Sequence, residues 1–385
     1  MWKKLSAFLA VCMLSVFAHA NPNNFSAYPL LVPSGASNIL NVNFEINNLS
    51  QVVGETTTKG VPSEEIATVW TGQKPTQLLF PGTTFENAAS INDAGLTAGT
   101  ITTTSGTNYA FRDGPGGLQI LHGINNSSSG ASAINNSGMV VGDTETLNTS
   151  TGTDVARDTA WANSSPINLD VNALSASVAT AVSNSGVVVG YCQDFSNPSV
   201  YSQIAFSWKS GKTTYLLNLG SAKDSEALAV NHSGVAGGYS ENNSGKVHGV
   251  EWDAAGKIHD LGSLTSGGWS TVTDLNDSGE AVGAASDASG DEVAVLFADN
   301  QILELNSFLP SSFGYHLTDA LSINDNDQIV AEGYDGENFG VFVLTPDPTA
   351  FIIAQIGAVP EPASIGAILF GVAVASRFCR RRSVR

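Results

Sequence analysis

The sequence predicts an all-β fold, a seven-bladed β-propeller of four-stranded antiparallel blades, and three observations carry that expectation. A block of the form apolar-Asn-x-x-Gly-x-x-Val-Gly begins at Ile46, Ile91, Ile134, Val182, Val230, Leu275 and Ile323, with spacings of 43 to 48 residues. A repeat of that period has the length of a propeller blade. Between blocks, an aromatic-tipped apolar run recurs, so that Trp70, Trp161, Trp208 and Trp252 all fill one repeat position. The ends of the repeat region are complementary fragments: a block without an aromatic run before it, and an aromatic run without a block after it.

Each block reads as a tight hairpin. Asn, a polar pair and Gly between short apolar runs is turn chemistry, and a type I turn closes most cheaply with Gly at positive φ. The flanking runs, such as Met139-Val140-Val141, are apolar or β-branched and suit strands. The aromatic runs (Thr68-Val69-Trp70, Ala160-Trp161, Ala205 to Trp208, Val250-Glu251-Trp252 and Val295-Leu296-Phe297) supply a third strand. Short runs around Leu78, Leu169, Leu219, Leu261 and Leu305 supply a fourth. Four short strands make one antiparallel blade.

Closure distinguishes a ring from an open β-solenoid. The fragment Ile46 to Gly54 and the run Gly340 to Leu344 are expected to share one composite blade, which would remove two exposed sheet edges. A possible strand at Tyr28 to Val32 would reinforce it.

One unit carries a family resemblance. His248-Gly249-Val250-Glu251-Trp252, then His259-Asp260-Leu261-Gly262-Ser263-Leu264, then Ser270 to Gly283 resemble the HAF repeat of exported bacterial proteins. The other units depart from it, since Phe111-Arg112-Asp113 lacks the Trp and the His-Asp-Leu-Gly element occurs once. The resemblance therefore supports architecture and names no ligand.

The two ends of the chain speak to destination. Residues 1–20 read as a secretory leader: Lys3 and Lys4, an apolar run from Leu5 to Phe17, and the small-residue site Ala18-His19-Ala20, with cleavage expected between Ala20 and Asn21. The repeat domain spans 21–358. Residues 359–385 form a tripartite tail: Val359-Pro360-Glu361-Pro362, an apolar run from Ala363 to Ala375 read as a short hydrophobic helix outside the propeller, and a basic end with Arg377, Arg380, Arg381 and Arg382. This tail is similar to the PEP-CTERM sorting signal. The resemblance implies that an exosortase-type membrane protease recognises Pro360-Glu361-Pro362 and removes the tail. The protein would then pass to the cell surface or an extracellular polysaccharide. Independently of that name, an Arg cluster stays on the cytoplasmic side of a membrane segment. An apolar run shorter than about 20 residues would hold the inner membrane only marginally, as a transient anchor would. A short tail anchor or an ordinary hydrophobic end is the alternative.

Charge excludes some partners. Without Lys3, Lys4, Glu361 and the five C-terminal Arg, the chain keeps 9 basic and 34 acidic residues, about −25. No basic footprint for nucleic acid remains. Of three Cys, Cys12 lies in the leader and Cys379 in the tail, so Cys192 alone would remain, and the default for it is a structural thiol. None of HExxH, GxSxG, the Walker loop, CxxC or the dinucleotide fingerprint occurs. His122, His232, His248, His259 and His316 are scattered, with only His248 and His259 in one unit. Calcium wants six to eight oxygens, and its best candidates are Asp319, Asp325 and Asp327. Asn and Asp also dominate turns for backbone reasons alone. Asp287, Asp291 and Glu292 form a similar cluster. Two functions stand open: a non-enzymatic binding or structural module, and a glycan-active hydrolase or lyase whose site several blades build at the channel mouth. Two carboxylates with an Arg or His converging on the channel would mark the second, and a channel of small and apolar residues the first. Partner-protein recognition through the variable loops is a third possibility.

Overall fold

The computed structural model describes residues 25–40, 43–59, 64–148, 153–169, 171, 176–193, 203–220 and 224–347. The leader with Ala18, Ala20 and Asn21, and the tail with Val359 to Pro362, the apolar run and the Arg cluster, lie outside the described residues. Those that are described form seven antiparallel sheets. In chain order, blades 1 to 6 span 36–77, 83–121, 129–168, 177–215, 225–262 and 270–304. Blade 7 combines 316–346 with the strand Phe25–Pro29. The open solenoid is excluded by contacts between the first and last blades, described below.

Blade 3 shows the plan. Its inner strand Ser129–Ile134 ends on the block's first residue, turns through the block, and returns as Val140–Asn148; Thr153–Ala162, carrying Trp161, and the outer strand Ser165–Asn168 follow. The hairpin of every block pairs with the aromatic strand that comes after it in sequence. This corrects the expected closure. Ile46–Gly54 pairs with Glu65–Thr71 in blade 1, whereas Phe339–Pro346 completes the hairpin at Ile323 in blade 7. The two fragments lie in neighbouring blades: Val341 and Val343 pack in one apolar cluster with Ile46, Val52 and Trp70. Blade 7 lacks only an outer strand, and Phe25–Pro29 supplies it, with Phe25 opposite Pro346 and Pro29 opposite Phe342. The strand therefore sits three residues earlier than the run at Tyr28 suggests. Blade 1 differs in a second way: its inner strand is split into Ala36–Ile39 and Glu45–Ile46, both paired to Gln51–Thr58.

Three repeat positions explain why these residues make these elements. The fifth residue of the block sits at positive φ throughout, 75 to 85° at Gly95, Gly138, Gly186, Gly234 and Gly279, and 59° and 57° where Ser50 and Asp327 replace Gly. The turn geometry is thus kept without the Gly, at a steric cost the rest of the blade absorbs. The ninth residue is Gly for a different reason. In blades 2 to 6 the inner strand has a β-bulge just before the block, for instance between Ala131 and Ala133, and a carbonyl there lies against the returning strand. In blade 1 the Phe44 ring takes that place against Gly54. A Cβ on Gly142 would lie 2.1 Å from Gly130 O, and on Gly190 2.0 Å from Val178 O. In blade 7, where Ala331 stands at this position, a second bulge between Leu317 and Asp319 moves the close carbonyl to Gly333, 2.2 Å from His316 O.

The third position is the Trp. Trp70, Trp161 and Trp252 are fully buried. Their indole N–H groups donate to Leu31 O (2.8 Å), His122 O (2.9 Å) and Leu217 O (2.7 Å). Each acceptor lies just beyond the outer strand of the preceding blade, so one side chain both fills the gap between blades and pins the strand exit. Leu31 follows Phe25–Pro29 as His122 follows Gln119–Leu121, which shows that the N-terminal strand does the work of an ordinary outer strand.

Gly142→Ala is expected to lower stability in urea unfolding by about 1–3 kcal/mol, the range of an overpacked core site. An exposed Gly with open space, such as Gly116, should tolerate the same change with little effect.

Candidate functional site

The inner strands surround an axial channel, and the block positions it. The second residue of each block faces the neighbouring blade. Its side-chain oxygen caps its own turn: Asn92 Oδ1 accepts the N–H groups of Ala94 (3.0 Å) and Leu96 (2.9 Å). Its amide then donates across the seam to the carbonyl of the equivalent residue in the next blade. These links run Asn47 to Asn92 (2.9 Å), Asn92 to Asn135 (2.9 Å), Asn135 to Ser183 (3.0 Å), Asn231 to Asn276 (3.2 Å), Asn276 to Asn324 (3.4 Å) and Asn324 back to Asn47 (2.9 Å). Six of the Asn or Ser side chains are thereby engaged in a belt around the axis, and buried amides need such partners.

The third residue builds a second belt beside the first. The backbone N–H of Asn48, Asp93, Asn136, His232, Asp277 and Asp325 donates to a side-chain oxygen of the third residue one blade on, at 2.7 to 2.9 Å. Acceptors are therefore Asn or Asp in every blade but one. Together the belts frame the narrow end of the channel, a cavity of 150 Å³ lined by Asn48, Asp93, Asn136, Asn184, His232, Asp277 and Asp325 among others.

The other end is wider, 630 Å³, and two-sided. Blades 3 to 5 offer Ala131, Ala133, Ala181, Leu228 and Ala229, while blades 6, 7 and 1 offer Asp274, Asp319, Glu332 and Glu45. Among the described residues lining it there is no Arg, Lys or His. The acidic wall is partly structural. Asp274 accepts the N–H of Ile323 (2.9 Å) and the hydroxyl of Ser322 (2.7 Å), and Ser322 Oγ accepts the N–H of Ile46 (3.3 Å). Ser90 does the same for Ile134 (3.0 Å). These carboxyls sit deep in the channel wall, and burial, the main cause, raises their pKa values. Glu45 is pushed up to about 8, with Asp274 and Asp93 adding repulsion against the hydrogen bonds from Ser90 and Ile91. Asp319 rises to about 7 through burial and then the neighbouring Glu332 and Glu292. Asp274 rises to about 6.

The calcium candidates are not brought together. Asp319 lines the wide cavity and Asp325 the narrow one. Asp325 is engaged in the belts, accepting from Asp277 N–H and Asn48 Nδ2 (2.8 Å). Asp327 accepts from Asn276 Nδ2 (3.1 Å). Asp287 caps a turn, accepting from Ser289 and Asp291 N–H. Among the described residues no three His, Cys, Asp or Glu are grouped to hold a metal ion. His248 pairs with Asp260 (2.9 Å) and His259 approaches Asp253 (3.7 Å), so each His of that unit has its own carboxylate. Cys192 is a buried thiol in the apolar cluster with Val188 and Phe206. Sequence reasoning took the second-position Asn for turn chemistry alone. It passed over the third position, although Asn or Asp fills it in six of seven blocks.

Because Glu45, Asp319 and Asp274 bind protons more tightly folded than unfolded, their contribution to stability is complete below the ordinary carboxylate range. It is lost as pH rises through about 6 to 8. The melting temperature at low salt is expected to fall by a few degrees between pH 5.5 and 8.5, and Glu45→Gln should flatten the upper part of that decline.

No family model matches the chain, and no curated protein matches it. Solved structures do. The β-propeller domain of the Trilobed protease from Pyrococcus furiosus, described as having an open velcro topology, superposes with a TM-score of 0.55 at 8% identity, covering 78% of this chain and 94% of that one. A Mycobacterium tuberculosis puromycin-hydrolyzing peptidase gives 0.54 at 11% identity, covering 86% of this chain and 56% of its own. Pyrococcus horikoshii acylaminoacyl peptidase gives 0.52 at 10%, covering 81% and 53%. The chain thus spans about half the length of these peptidases, and at such identity the likeness shows the propeller fold alone.

Proposed function

We propose that this chain is an exported propeller acting as a binding or structural module at the cell surface or in an extracellular polysaccharide, delivered through its C-terminal tail by an exosortase-type membrane protease. The observation that carries this reading is the placing of the chain ends. Phe25 and Pro346 are partners at the outer edge of blade 7, so the leader and tail segments join the ring side by side on one strand pair. Signal cleavage at Ala20 and tail cleavage near Pro360-Glu361-Pro362 would free that single edge from the inner membrane and leave the ring's own hydrogen bonds untouched. Val359 and the Arg cluster at Arg377, Arg380, Arg381 and Arg382 keep the roles the sequence suggests for them.

The channel supports a non-enzymatic module. Its wide end pairs a wall rich in small apolar residues with carboxyls, of which Asp274 is hydrogen-bonded into the 6/7 seam, and no cationic side chain among the described residues lines it. A glycan-active hydrolase is the second reading, and one observation favours it. Asp319, held protonated up to about pH 7 beside Glu332, has the character of a general acid. Loss of glycan cleavage in Asp319→Asn, with binding kept, would select that reading.

The intact mass of the secreted protein should correspond to a chain starting at Asn21 and lacking the terminal Arg cluster. A mature mass that includes Arg377 to Arg385 would sink the sorting assignment. Residues 21–358 on a glycan array, with and without calcium, should show calcium-independent binding to at least one neutral or cationic surface glycan.

A further inference from the structure

The seams of the ring are not equal. Between blades 4 and 5 both belts are interrupted. Ser183 stands where the other blocks have Asn, and its hydroxyl is engaged within its own turn, with Ser185 Oγ (3.0 Å) and the N–H of Val187 (3.0 Å). No side chain from blade 4 therefore reaches Asn231 O, whose only partner among the described residues is its own turn, Gly234 N–H (3.0 Å). One residue on, His232 replaces the Asn or Asp that would receive Asn184 N–H. A third series of axial links runs from the residue before the block, as Asp274, Ser322 and Ser90 show, and here that residue is Ala181. The neighbouring seams, 3/4 and 5/6, keep both belts.

Where the last blade meets the first, the contrast is sharp. The 7/1 seam carries Asn324 to Asn47 O (2.9 Å), Asp325 N–H to Asn48 (2.8 Å), Asn48 Nδ2 to Asp325 (2.8 Å), Asn326 Nδ2 to Asn48 O (3.0 Å) and Ser50 Oγ to Gln328 (2.6 Å). Away from the narrow mouth the 4/5 seam is firmly closed. Thr180 Oγ1 donates to Ala227 O (2.6 Å), Ala205 N–H to Ser225 (3.1 Å), and Trp252 to Leu217 O (2.7 Å). The interruption is confined to the channel mouth, and the bonds outside it form a natural hinge.

We propose that the narrow mouth of the channel opens between blades 4 and 5, by separation of the turns 183–186 and 231–234, and that Ser183 and His232 are the residues that set this gate. The 7/1 seam, between the last blade and the first, stays shut while it opens. Local opening follows the lowest density of cross-links. The third series also lapses at 3/4 and 5/6, where Ala133 and Ala229 precede the block, but only at 4/5 do both belts lapse with it.

Amide hydrogen exchange of the purified protein tests this. Backbone amides in 182–187 and 230–235 are expected to exchange faster than those in 46–51 and 323–328. Ser183→Asn with His232→Asp supplies both missing groups. It should slow exchange in the 4/5 turns by roughly five- to thirtyfold, the effect of one or two net hydrogen bonds, and leave the other turns unchanged. The reverse change, Asn324→Ser with Asn48→His, should raise exchange at the 7/1 turns toward the 4/5 level, short of it because Ser322, Asn326 and Ser50 still bond across that seam. The gate is refuted if the wild-type 7/1 turns exchange as fast as the 4/5 turns or faster, an outcome that needs no variant. It is equally refuted if the repaired protein folds and its 4/5 turns exchange as before.

Discussion

A side-chain amide that caps its own turn and reaches the next blade's backbone is the interaction on which this ring depends. Asn at the second block position satisfies turn N–H groups with its oxygen and crosses the seam with its nitrogen, so local and long-range order are set by the same group. Neither function alone would require Asn at that place, since Ser or Asp can cap a turn. Doing both requires a group that accepts at one end and donates at the other. Each link is worth only about 1 kcal/mol net, but an unmet buried amide costs more than a made bond gains, so the belt specifies register more than it adds stability.

Steric constraints act where the hydrogen bonds do not. In blades 2 to 6 the bulge before the block sets a carbonyl of the inner strand against the returning strand, and only Gly leaves room for it. That contact fixes how far each inner strand projects toward the axis and hence the bore of the channel. At the opposite side of the blade the Trp indole binds the preceding outer strand to the ring. The inner and outer margins are thus held by different chemistry, one polar and one largely apolar. A blade can therefore lose its axial links, as blade 4 does, while its outer packing persists.

Much of this was legible in the sequence. The period, the four strands per unit, the positive-φ turn residue and the structural role of the Trp were all readable from Ile91 to Trp252. The phase of the unit was not. A repeat read along a chain has no marked beginning, and only pairing shows that the hairpin at Ile46 belongs with Trp70 and not with Phe342. The channel was illegible for a related reason: Glu45, Asp274 and Asp319 are far apart in sequence, and the closed ring alone puts them on one wall. The belts left a trace that could have been followed, the recurrent Asn or Asp after the block's Asn, but an Asn-rich turn looks the same whether or not its side chains cross a seam.

The pairing of Phe25–Pro29 with Phe339–Pro346 also has a consequence for how the molecule comes into being. The first of the described strands is needed by the last one, so it must wait, unpaired by it, while more than three hundred residues follow. Contacts of that separation are slow to form, and a strand without a neighbour invites the wrong one. The completed ring cannot exist until its final blade has been made. Whatever holds the early segment apart from other chains in that interval governs how much of the protein closes into a ring.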